Sequence, residues 1–304
     1  MVNYAKQKDL LEIKKIWDTC FNEDDYGYNN YYFNYQFNPE ETLVISEDDR
    51  IVSIGTRRNH IYMLNERPIK SSFIFGIATL ERYRNKGYMK QILNMHLDHA
   101  VHQELFTFIK AYKEDAYSKF GFVPIYYNYR YMLYKSDLKY YDMSDTRHGA
   151  KSKDLFEIYS NNMKKFNGFM IRDEKYFDDL ITSVRYQNGD VITTYDANGK
   201  IKGYAVFYRR QNYVVITEIM YIDVPSLIRL LTSAISIRGK VELHTTVYEN
   251  IQSLFENVTP VKYPSVYVRI NDYELFNKVF NLNVDNVKDA FNALGKPLYL
   301  NEDI

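Results

Sequence analysis

Cysteine is nearly absent: Cys20 stands alone in 304 residues. An internal disulfide framework is therefore excluded, and a reducing compartment fits. Cys20 reads as a buried helix thiol. No apolar run approaches the ~18 residues that cross a bilayer, and none near the start resembles a signal peptide. The expectation is a soluble, cytoplasmic protein with no membrane partner. Neither sign of charge is in excess, with 39 Lys plus Arg against 39 Asp plus Glu, so no general nucleic-acid surface is expected. The spacings G-x-x-x-x-G-K-[ST] and G-x-G-x-x-G are missing, which removes the NTPase loop and the dinucleotide fingerprint. A serine nucleophile elbow is missing too.

What is present is length for about two domains and a stretch, 73–122, around which the chain is organised. Phe73, Phe75 and Ile77 alternate with smaller residues, as in a half-buried strand. The chain then turns through Arg82, Arg84, Lys86 and Gly87. A helix follows with Met89, Ile92, Leu93, Leu97, Ala100 and Val101 at a spacing near 3.6. A glycine there lets backbone N–H groups face outward at a helix start that carries about half a positive charge. With Arg82, Arg84, Lys86 and Lys90 crowding it, the turn is sized for a phosphate or pyrophosphate. The same strand–turn–helix arrangement also occurs in α/β proteins that hold no ligand.

Arg84-Asn85-Lys86-Gly87-Tyr88-Met89 resembles the R/Q-x-x-G-x-G/A loop of the GNAT superfamily of N-acetyltransferases, and Ala116-Tyr117-Ser118-Lys119-Phe120-Gly121-Phe122 is similar to its F-Y-x-x-x-G-F segment. Met89, where most of the superfamily has Gly or Ala, resembles the Eis (enhanced intracellular survival) branch. The resemblance implies an α/β (α+β) fold of tandem acyl-CoA N-acyltransferase units, each a mixed central sheet flanked by helices. It implies acetyl-CoA as acyl donor, with no metal. The pyrophosphate would lie on Arg82, Arg84, Asn85, Lys86, Gly87, Tyr88 and Met89. Ile77, Ala78 and Thr79 would offer backbone to the pantetheine arm, in a gap between their strand and the next parallel one. Tyr117 would protonate the departing thiolate, a role open to a positioned phenol; a core tyrosine packed under the sheet is the other reading. A ternary complex is expected over an acyl-enzyme, because Cys20 lies far in sequence from the motifs.

Residues 5–22 space Leu10, Leu11, Ile13, Ile16, Trp17 and Phe21 as an amphipathic helix. An acidic turn and an aromatic segment follow, where the superfamily lines its acceptor pocket. Asp25 and Tyr28 are the candidates there, since carboxylates beside aromatic faces suit a cationic amine; capping and core packing are the alternatives. Residues 42–80 read as three strands of a meander. His96, His99 and His102 share a helix, but its rotation separates the first from the third, so no metal site is expected.

The second half repeats the element order of the first. Helices at 152–166 and 173–184 precede a hairpin across Asn198-Gly199, then strand, helix, strand, helix, strand. Only Asp223-Val224-Pro225 stands where the basic turn should be, so this half should not hold a pyrophosphate. The expected division is a catalytic domain over 1–134, a linker over 135–150, a degenerate second unit over 151–270 and a short helical tail over 271–304. Eis-like proteins continue into a sterol-carrier-like domain, so the short tail leaves both their hexamer and their terminal-carboxylate base without support here. Partners are a small-molecule or peptide amine, with no nucleic acid, and a homo-oligomer stays open. The expected function is an acetyl-CoA-dependent N-acetyltransferase. A tRNA-dependent aminoacyl transferase and a non-catalytic CoA sensor are the alternatives.

Overall fold

The computed structural model describes residues 1–21, 26–101, 103–111, 114–255 and 257–301. Along the chain come β1 (Val2–Tyr4), α1 (Leu10–Cys20), α2 (Tyr28–Tyr31), β2 (Thr42–Glu47), β3 (Arg50–Leu64), β4 (Arg67–Thr79), α3 (Tyr88–Val101), β5 (Phe106–Ile109), α4 (Glu114–Ser118) and β6 (Val123–Tyr134). Then follow β7 (Thr146–His148), α5 (Ser152–Met163), β8 (Phe169–Met170), α6 (Glu174–Tyr186), β9 (Gly189–Tyr195), β10 (Ile201–Arg209), β11 (Val214–Tyr221), α7 (Val224–Arg238), β12 (Lys240–Thr246), β13 (Val261–Ile270), α8 (Tyr273–Phe280) and α9 (Val287–Asn292). The fold is mixed α/β. Among the described residues no helix is long and apolar enough to cross a membrane.

Two compact units divide these elements, and the division is not the expected one. Unit 1 holds residues 1–125 and 266–295; unit 2 holds 126–265 and 296–301. Most of β6, expected to finish the first domain, belongs to unit 2, where it pairs antiparallel with β12. In return, Tyr267–Ile270 of β13 pair antiparallel with Phe106–Ile109 of β5 in unit 1. Both pairings join segments more than a hundred residues apart, which no local pattern specifies. The segment 135–150 is no free linker either. Its β7 pairs with β9, and Leu138 bridges Phe255. Nor is 271–295 a detached tail, for Phe291 meets Phe106 edge-on at 5.8 Å between ring centroids. Residues 296–301 return to unit 2, where Tyr299 N–H donates to Gly168 O.

In unit 1, β1 to β4 form an antiparallel meander and β5 then runs parallel to β4. Its two tight turns place Asp48, Asp49, Asn65 and Glu66 at positive φ, the twist that suits two-residue hairpins. Helix α1 buries Ile13, Ile16 and Trp17 against this sheet, whereas Leu11, expected on the same face, is exposed. Unit 2 repeats the order: β9, β10 and β11 are antiparallel neighbours, α7 crosses over, and β12 runs parallel to β11. The further helix expected between β12 and β13 is only a 3-10 turn, Gln252–Leu254.

Candidate active site

In unit 1 the parallel ladder between β4 and β5 ends at Ile74 and Ile109. Beyond it β4 continues to Thr79, paired among the described residues only with β3, where Ser53 faces Thr79. Ile77, Ala78 and Thr79 therefore lie on a strand that has parted from its parallel neighbour. Ser53 fixes this end, its hydroxyl 2.9 Å from Ala78 O. A ligand arm can add itself to such an unpaired edge as an extra strand would.

The loop after β4 completes the opening. Gly87 stands at φ +81 with nothing within 4 Å of where a Cβ would sit. Asn85 is also left-handed, at φ +65. The amides of Asn85, Lys86 and Gly87, and those of Tyr88, Met89 and Lys90 in the first turn of α3, donate to no acceptor among the described residues. Such a row of N–H groups at a helix start favours an anion. Unit 2 has the opposite arrangement. Asp223 fills the start of α7 with its own carboxylate, 2.9 Å from Ser226 N, and Tyr221 and Glu249 are hydrogen-bonded at 2.5 Å where β11 runs past β12.

These parts of unit 1 enclose a cleft of about 500 Å³. Its walls are the end of β4 (Ile77, Ala78, Thr79), the loop and first turn of α3 (Arg84, Asn85, Gly87, Tyr88, Met89, Lys90), and Lys119 with Phe120. Arg84 Nε reaches back to Thr79 O at 3.2 Å, so the guanidinium is held over the strand end. Two cations expected at the turn are placed otherwise. Arg82 does not line the cleft, and Lys86 is bound by Glu47 at 3.0 Å. Lys119 takes up part of their place.

Cys20 and Phe21, at the end of α1, also line this cleft. Distance in sequence was thus the wrong argument for setting Cys20 apart from the site: its Sγ lies 4.0 Å from Thr79 O. Burial pushes its thiol up, opposed in part by the Arg84 guanidinium, which favours the protonated, weakly nucleophilic form.

Tyr117 is not among the side chains that line the cleft. It lies on α4 and packs on the apolar cluster of Ile74, Leu93, Leu97, Ile109, Phe122 and Tyr267, as do Ile77 and Phe120. Ile77 and Phe120, which line the cleft, thus pack on the same cluster as the Tyr117 ring. Burial raises its pKa, so the hydroxyl keeps its proton at neutral pH. Tyr28 is similarly placed in an aromatic group, 6.4 Å from Trp17 and 6.1 Å from Tyr32 between centroids, and it does not line the cleft. Asp25, His102 and the terminal carboxylate lie outside the described residues.

The remaining histidines of α3 have partners in the protein. His96 is buried and its Nε2 donates to Gly55 O at 2.9 Å, while His99 Nδ1 is 2.8 Å from the Tyr4 hydroxyl. No group of three or more His, Cys, Asp or Glu side chains could hold a metal ion among the described residues.

The sequence reading missed Cys20, Phe21, Tyr83, Lys119 and Phe120 as cleft residues. Lys119 and Phe120 lie inside the quoted Tyr117 segment and could have been found there. Cys20 and Phe21 follow only from the docking of α1.

Among solved structures the chain is similar to a conserved protein of unknown function from Enterococcus faecalis V583, described as a probable N-acyltransferase. The identity is 14% and the TM-score 0.75, over 91% of this chain and 74% of that one. A GCN5-related N-acetyltransferase from Anabaena variabilis ATCC 29413 shows 15% identity and a TM-score of 0.73, over 90% and 73% of the two chains. Eis1 from Mycobacterium abscessus shows 10% and 0.66, over 91% and 75%. At these identities the likeness is one of fold, and it extends across both units. No curated protein matches the sequence. Residues 1–125 match the family model of the acetyltransferase (GNAT) domain.

Proposed function

We propose that the protein is an acetyl-CoA-dependent N-acetyltransferase that acetylates a primary amine by direct attack in a ternary complex. The observation that carries this reading is the cleft where β4 parts from β5, bounded by the unpartnered amides of residues 85–90. The match of residues 1–125 to the acetyltransferase domain supports it. Those amides, with Arg84, Lys90 and Lys119, hold the pyrophosphate by charge-assisted hydrogen bonds. The free edge of β4 at Ile77–Thr79 orients the pantetheine arm. The amine nitrogen then bonds to the thioester carbon, the carbon–sulfur bond breaks, Tyr117 gives its proton to the thiolate, and the proton shed by the new amide nitrogen passes through solvent to restore the Tyr117 phenol. Because Tyr117 packs on the apolar cluster and does not line the cleft, this last role requires a local shift when the thioester enters.

That same packing favours a second reading, in which the cleft binds CoA without transferring its acyl group. Calorimetric titration with CoA, followed by thiol release from acetyl-CoA over a panel of small-molecule and peptide amines, separates the two. Binding with amine-dependent release supports the transferase. Binding without release under any amine supports the sensor, and no binding overturns both.

A further inference from the structure

Lys86 lies in the middle of the loop whose amides face the cleft, yet its side chain takes no part in lining it. Its Nζ is 3.1 and 3.0 Å from the two carboxylate oxygens of Glu47, the last residue of β2. The same carboxylate accepts the hydroxyl of Tyr88, the first residue of α3. Tyr83 closes the group from the other side, with its ring centroid 5.1 Å from Lys86 Nζ. Tyr88 itself packs on Leu43, Ile45, Val52 and Ile92, so its hydroxyl meets Glu47 from a fixed body. One acidic side chain thus grips both a cation of the loop and the start of the helix behind it.

We infer that Glu47 is a positioning residue that holds Lys86 out of the cleft and so limits its affinity for a phosphate-bearing ligand. The inference rests on the acyl-CoA reading given above. The Lys86–Glu47 pair is partly exposed on both sides, 48% and 28%, and a surface pair of this kind is easily exchanged for another anion. Without its partner, the ammonium on its flexible stem is free to turn toward a pyrophosphate held on the neighbouring amides. The arrangement trades tight product binding for release, which matters because free CoA carries the same phosphates as acetyl-CoA.

Glu47→Gln keeps an oxygen that can accept the Tyr88 hydroxyl while removing the charge that binds Lys86. Calorimetry with CoA is expected to show binding about threefold to tenfold tighter than in the wild type at low salt, with the gain fading at about 0.5 M salt. The gain should be absent when Glu47→Gln is made in a Lys86→Met background. Glu47→Asn, with different packing, should repeat the result. Unchanged or weaker binding in Glu47→Gln overturns the inference, as does an equal gain without Lys86. If the wild-type protein binds CoA but these variants fail the pattern, this inference alone falls; if the wild type binds no CoA, the acyl-CoA reading falls and takes it along.

Discussion

The indole of Trp17 lies against Gly76, where an added Cβ would stand 2.4 Å from Cζ2. Gly76 has φ +61 and sits in β4 at the irregularity of its ladder with β3, between Phe75 and Ala78. A side chain there meets both a left-handed backbone and a packed ring. Gly76→Ala is expected to lower unfolding free energy by about 2–4 kcal/mol. Urea unfolding that shows a change under about 0.5 kcal/mol would contradict this close approach.

Tyr117 offers a kinetic prediction. Tyr117→Phe keeps the ring that packs on Phe122 at 6.4 Å and removes only the hydroxyl. Turnover should fall about 10²–10⁴-fold with acetyl-CoA binding nearly unchanged. Steady-state thiol release with any accepted amine checks it, and unchanged turnover removes Tyr117 as the acid.

Burial lowers the pKa of His96 from 6.5 to about 4, outweighing the bond to Gly55 that favours the charged ring. Below pH 6.5 the unfolded chain takes up a proton that folded His96 accepts only near pH 4. Its contribution to stability is therefore complete above pH 6.5, declines as pH falls through this interval and levels off below about 4. The loss amounts to about 3 kcal/mol. Stability measured from pH 7 to pH 4 should fall less steeply in His96→Gln than in the wild type. Parallel curves would show that His96 titrates normally.

In unit 2, Arg172 and Glu218 form a buried pair at 2.8 Å, with side chains 1% and 7% exposed. Tyr204 donates to the same carboxylate at 2.6 Å, and Arg172 also holds the carbonyl of Asn301 at 3.1 Å. Arg172→Met leaves the carboxylate buried without its cation and releases the end of the chain. A loss of about 3–5 kcal/mol is expected, together with faster proteolysis after residue 295. Chemical denaturation and limited proteolysis read the two effects separately.

Local signals account for what could be read directly from the sequence. Strand β4, the turn at Gly87 and helix α3 are written in neighbouring residues, through alternation, a positive-φ glycine and a helical period. The missing basic turn at Asp223-Val224-Pro225 was likewise visible, though the capping of α7 by Asp223 was not read from it. What stayed hidden depends on residues far apart in the chain. Cys20 meets Thr79 across 59 positions, and Glu47 meets Lys86 across 39. Neither periodicity nor composition specifies such meetings; they follow from how α1 and β2 dock. The placement of β6 and β13 was misread for the same reason, because their pairings span more than a hundred residues and leave no local mark.

The exchange of those two strands has a consequence for biosynthesis. When the ribosome has made the first 134 residues, the β5 edge of unit 1 still lacks Tyr267–Ile270, and so stays open until well over a hundred further residues have emerged. Late closure of this kind slows folding and leaves a bare edge on which nascent chains can pair wrongly. A gene cut at the apparent boundary would yield two fragments that each miss a strand, whereas mixing both fragments during refolding supplies every strand again.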